Sequence, residues 1–107
     1  MIVATADNIE GRVIVRTLGL VRGNSIRVRH VGKDIMAALR NLVGGEVSEY
    51  TKLLAESREQ AIDRMVEDAQ QLGANAITCV RFETSMVMQG AAELLAYGTA
   101  VVVRDAD

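Results

Sequence analysis

Residues 72–85 read LGANAITCVRFETS. Glycine 73 ends one pattern, and asparagine 75 opens another. Upstream, Tyr50, Leu53, Leu54, Ala61, Ile62, Met65, Val66, Ala69 and Leu72 recur at helical spacing, which predicts a helix from about Ser48 to Leu72. Ser48 is placed to cap its N-terminus, and Glu49 lies in the first turn, where the helix dipole favours an acid. Gly73 is the expected stop, because glycine enters the left-handed conformation that closes a helix. Downstream, from about Asn75 to Met88, Ala76, Thr78, Val80 and Phe82 alternate with Ile77, Cys79, Arg81 and Glu83, the two-residue period of a strand. A helix of about 25 residues is ~38 Å long. That exceeds what a compact domain of this size needs, so its stripe is expected to reach beyond one subunit's sheet.

Further on, QGAAE reads as a turn, and ELLAYGTAVVVR (93–104) as a strand that is apolar on both faces. Such a strand needs two covers. Helices supply one, and a partner subunit is the simplest source of the other. Toward the N-terminus, RVIVRTLGLVRGNSIRVRHV (12–31) is rich in β-branched residues. It reads as one long strand or as a hairpin bent at Gly19 or Gly23-Asn24. Val13, Val15, Thr17 and Val21 are expected on one face; Arg12, Ile14, Arg16, Leu18, Leu20 and Arg22 on the other. A short helix follows from about Lys33 to Val43, carried by Ile35, Met36, Leu39, Leu42 and Val43 and closed by Gly44-Gly45. No lysine followed by Ser or Thr stands in P-loop spacing, so the paired glycines read as a turn and not as a phosphate cradle. The expected class is α+β: a single domain over residues 1–107, a β-α-β-β subunit whose antiparallel sheet has its helices on one face.

Half of the 107 residues are hydrophobic but only 3% are aromatic, so the core rests on Val, Ile, Leu, Ala and Met. One cysteine makes no internal disulfide and points to a reducing, cytoplasmic setting. The N-terminal segment lacks a basic region followed by an apolar run, so no signal peptide is expected, and no apolar run approaches the ~20 residues of a membrane helix. Residues 1–45 carry seven Lys/Arg against three acids, and residues 46–107 five against eleven. Base-stacking aromatics do not interleave the arginines. The two halves are therefore expected to neutralise each other within or between subunits, with no nucleic-acid partner.

Three roles are open to Cys79: packing, metal ligation and reactive thiol. Packing is preferred, because His30 is the only histidine and no CxxC or HxxxH spacing exists. A soft metal would need Cys79 with methionines, such as Met86 and Met88 or Met36 and Met65. A ring would multiply one cysteine into several near its axis. Glu46, Glu49 and Glu59 read as solvated acids of a helix. Tyr50, Glu93 and Tyr97 are candidate site residues if an interface cleft brings them together. Arg81 shares a strand face with Cys79, and Arg16, with Arg22, Arg27 and Arg29, is a candidate lining for a pore. The competing reading is a charged edge strand that guards against aggregation.

LVGGEVSEYTKLL, LGANAITCVRFETS and AELLAYGTAVVV, in that order, resemble the YbjQ-like family, whose domain carries a heavy-metal-binding label. The resemblance runs from GRVIVRTLGLVRGNSIR to GTAVVV. It implies a dodecin-like β-α-β-β subunit assembled as a ring-shaped homopentamer, without an established enzymatic activity. The expectation is a non-enzymatic oligomeric binding or scaffold protein. The alternative is a heavy-metal-ion-binding protein using Cys79 and methionines.

Overall fold

The computed structural model describes residues 1–28, 48–88 and 91–107. Within them the order is β1 (Ile2–Val3), β2 (Arg12–Val28), α1 (Ser48–Gln71), β3 (Ala76–Met88) and β4 (Ala91–Asp105). The strands form one sheet in the order β1-β3-β4-β2. β4 is antiparallel to both β2 and β3, while β1 runs parallel to β3. The sheet is thus mixed, which corrects the wholly antiparallel expectation. The extra strand is only two residues long and sets up no period that a sequence scan could find. The helix expected at 33–43, the paired glycines and the side chain of Ser48 lie outside the described residues.

β2 is one uninterrupted strand of 17 residues, not a hairpin. Its register against β4 shifts twice, between Ile14 and Arg16 and between Thr17 and Gly19. Each shift inserts an unpaired residue and reverses the faces beyond it. Val13, Val15, Thr17 and Val21 therefore do not share a face. Val21 is fully buried under the helix, whereas Val15 is 52% exposed.

α1 crosses one face of the sheet, over β2 and β4. Ala61, Met65 and Ala69 of the helix pack with Val21, Ile77, Val80, Ala96 and Ala100 of the strands. The contact is close because Gly23 lies directly under the helix. A Cβ there would run into the backbone of Ala61 and Met65. A second cluster on the opposite face joins Ala76, Val101 and Val103, flanked by Ile2, Ile9 and Ile14. The chain's own N-terminal segment thus covers part of the face expected to need a partner.

The junction at 72–85 is built as its residues dictate. Gly73 has φ +85°, its N–H donates to the Gln70 carbonyl (3.0 Å), and the Ala74 N–H donates to that of Ala69 (3.1 Å). Both bonds of a Schellman cap are present. Asn75 then lends its side chain to the sheet. Its Nδ2 donates to the Val103 carbonyl (2.9 Å), and its Oδ1 accepts the Val103 N–H (2.8 Å). The amide continues the ladder by one position before β3 begins.

Candidate binding surfaces

Cys79 lies where β3 departs from regularity. The register against β4 breaks between Thr78 and Arg81, and Cys79 has φ +56°. Positive φ on a residue with a Cβ is uncommon and mildly strained. The Cys79 N–H donates to the Ala6 carbonyl, and the Val80 N–H to that of Ala4, each at 3.0 Å. The N-terminal segment thus holds the bulge. Because of it, Val80 joins Ile77 in the core under the helix, and the simple alternation through Cys79 and Arg81 fails. Cys79 itself is half-buried.

Beyond the bulge, the register places Arg81 opposite Tyr97, Glu83 opposite Leu95 and Ser85 opposite Glu93. On β2, Arg22 stands opposite Tyr97 and Asn24 opposite Leu95. Directly opposed residues share a face. These residues therefore form the face turned away from α1, since Gly23 and Val21 carry the helix contact. The Tyr97 hydroxyl donates to Glu83 Oε1 (3.4 Å), and Asn24 Nδ2 donates to Glu93 Oε2 (3.3 Å). Arg81 Nη1 donates to the carbonyls of Thr5 (3.0 Å) and Val80 (2.9 Å), tying the N-terminal segment to the strand. Within one chain Glu93 and Tyr97 thus belong to two separate pairs, and Arg81 serves backbone carbonyls. Arg16 stands opposite Val102, toward the other end of the sheet. The side chains of Tyr50, Glu49 and Arg27, and the whole of His30, Arg29 and Glu46, lie outside the described residues. Glu59 is exposed.

A cleft of about 400 Å³ opens between α1 and the ends of β3 and β4, lined by Leu54, Ser57, Arg58, Thr84, Glu93 and Leu94. Its walls are mainly apolar. Ser57 is buried and accepts from the Ser25 hydroxyl (3.3 Å), which also lies 3.1 Å from Gln60 Oε1. Sequence reading missed this polar cluster. The signal was present: Ser57, Ala61, Met65 and Ala69 stand four apart, so Ser57 belongs to the buried stripe.

A protein-family model described as "Putative heavy-metal-binding" (YbjQ) matches residues 1–104. The chain belongs to this family. It is similar to the UPF0145 protein of Methanosarcina acetivorans, 61% identical over 96% of this chain and 97% of the relative. A UPF0145 protein of Clostridioides difficile is 56% identical over 98% and 94%. Among solved structures, a protein of unknown function from Pediococcus pentosaceus, placed in the DUF74 family, superposes with a TM-score of 0.66. It is 16% identical and covers 97% of this chain and 98% of its own, so it supports the small α+β fold and nothing finer.

The donor set fits the family's label poorly within one chain. Among the described residues, no three of His, Cys, Asp and Glu cluster as metal ligands. Met65 is fully buried in the core and Met86 is 77% exposed. Met36 and the Met88 side chain lie outside the described residues. No helix among the described residues is long and apolar enough to cross a membrane.

Proposed function

We propose that the chain is a non-enzymatic subunit of a homo-oligomeric binding or scaffold protein, with the five-membered ring of the family resemblance as its assembly. The observation that carries this reading is exposed surface. A compact monomer of this mass exposes about 5,800 Å² by the scaling of monomeric proteins. This chain exposes 7395 Å². The excess, roughly 1,500 Å², corresponds to about two interfaces at ~800 Å² per partner. Shape supports the same reading. The Cα radius of gyration is 17.5 Å and the extents are 58 × 27 × 16 Å, against ~13 Å for a compact chain of this length. Two interfaces per subunit suit a ring when the rotation between neighbours closes.

The binding role rests on the cleft beside Ser57, whose size and apolar walls with a few polar groups suit a small ligand. A lone cysteine suits the cytoplasm. The alternative, soft-metal binding through Cys79, keeps one route: symmetry-related copies would have to bring several Cys79 thiols together. Native mass spectrometry with Cu(I), Zn²⁺ and Cd²⁺ tests both readings. The scaffold reading expects a multimer whose mass does not change with metal. A stoichiometric metal load lost in Cys79→Ala would establish the alternative instead.

A further inference from the structure

We infer that the cleft between α1 and the ends of β3 and β4 takes a straight-chain monocarboxylate, with the hydrocarbon chain against Leu54, Ala92 and Leu94 and the carboxylate on Arg58. This rests on the binding role proposed above and names the class of ligand. The apolar part follows from the walls. At about 400 Å³ the cleft has room for a small molecule, and Leu54, Ala92 and Leu94 make its lining aliphatic. The register places Phe82 opposite Ala96, Thr84 opposite Leu94 and Met86 opposite Ala92. Phe82 and Met86 therefore flank Thr84 on the helix side of β3, and both are exposed. The apolar surface thus runs on from the cleft along the strand, which suits an extended chain better than a compact ring.

The charge follows from Arg58. Of the three basic residues of α1, Lys52 has Glu56 and Arg64 has Asp68 four positions on, the spacing at which helical ion pairs form. Arg58 has Leu54, Ala55, Ala61 and Ile62 at the corresponding positions, so its own helix gives it no acid. Among the described residues it enters no ion pair. The nearby acids of α1, Glu56, Glu59 and Asp63, line a separate groove with Lys52. Glu93 also lines the cleft, but its Oε2 accepts from Asn24 Nδ2 (3.3 Å), and Asn24 belongs to the face turned away from α1. Arg58 thus brings a guanidinium to an apolar cleft, and its planar fork of N–H donors matches a carboxylate through two parallel bonds. The Thr84 hydroxyl, also in the lining, adds a neutral donor. One guanidinium balances one negative charge. A phosphate ester, with a charge of about −1.5 to −2 at neutral pH, would bring an excess toward a helix that already carries Glu56 and Glu59 beside Arg58 in the chain.

The test is isothermal titration calorimetry of the full chain with octanoate, decanoate, decanol, decyl phosphate and decyltrimethylammonium, at neutral pH and below micelle formation. Decanoate is expected to bind once per chain and about fifteenfold tighter than octanoate, since each buried CH₂ contributes about fourfold. Decanol, decyl phosphate and decyltrimethylammonium are each expected to bind more weakly than decanoate. Arg58→Gln is expected to weaken decanoate about tenfold and to leave decanol unchanged, whereas Leu54→Gln is expected to weaken both. Both side chains are exposed, and circular dichroism establishes that each variant is folded; the Arg58→Gln comparison decides by itself should Leu54→Gln not fold. Decanol binding as tightly as decanoate, decyl phosphate or the ammonium binding more tightly, or Arg58→Gln leaving decanoate unchanged would overturn the inference while leaving the binding role standing. Uptake of many molecules per chain would overturn it equally, as adsorption to apolar surface. If none of the five binds, the binding role falls with the inference, and a lower assembly mass in Leu54→Gln would then assign the cleft to a neighbouring copy.

Discussion

Under α1 the sheet is closest to the helix at small residues: Gly23, Ala96 and Ala100 on the strands meet Ala61 and Ala69 on the helix, and Met65, Val21, Ile77 and Val80 fill the space around them. At the outer edges the arrangement is inverted. Val15, Leu20, Ile26, Phe82 and Met86 are large, apolar and between 44% and 77% exposed. The helix-covered centre is complete within one chain, because close approach of backbones leaves no room and no need for more side chain. Under the proposed assembly the edges are completed by a neighbouring copy. Stability of the subunit and stability of the assembly are therefore separable, and substitutions should sort by region.

The largest effect is expected at the centre. Gly23→Val sets side-chain atoms against the backbone of Ala61 and Met65, which cannot move aside as a side-chain end would. The chain is expected not to fold, read as loss of the cooperative melt in circular dichroism. Met65→Ala is next. It removes the largest fully buried side chain among the described residues, and a cost of about 2–5 kcal/mol is expected by chemical denaturation. If Met65→Ala cost no more than a surface change, the centre would not be the close-packed region described.

At the margin of the centre, Asn75→Ala removes both side-chain bonds to Val103. Each net bond contributes about 1 kcal/mol, so a loss of about 1–2 kcal/mol is expected in the same assay, with Asn75→Asp recovering only the acceptor half. Gly73→Ala should cost about 1 kcal/mol, since alanine is penalised at positive φ. An unchanged melting curve would mean that the cap is not closed as described. The smallest effect is expected at Cys79. Half-buried at its bulge, it should tolerate alanine within about 1 kcal/mol with the assembly mass unchanged, measured by melting and native mass spectrometry side by side.

Much of the centre was legible in the sequence. The helical stripe, the stop at Gly73 and the strand after it were set by period and by glycine chemistry, and both act locally. What was not legible depends on partners distant along the chain. β1 has two residues and is defined only by where β3 lies. The shifts in β2 and the bulge at Cys79 add single residues that reverse every face beyond them, so alternation read from β-branched residues ran true only until the first shift. The candidate site shows the same division. Arg81, Glu93 and Tyr97 do share the face turned away from the helix. Their partners are Thr5, Asn24 and Glu83, chosen by register and not by spacing. Ser57 was hidden by its polarity, although its position in the stripe marked it as buried.

The central claim is that one chain is an incomplete structure whose excess surface is covered by copies of itself. Light scattering coupled to size-exclusion chromatography, at micromolar concentration and moderate salt, measures this directly. The account predicts one species of about five times the 11.6 kDa chain mass, unchanged on dilution through the micromolar range. A single peak at the mass of one chain, with the same cooperative melt, would contradict it.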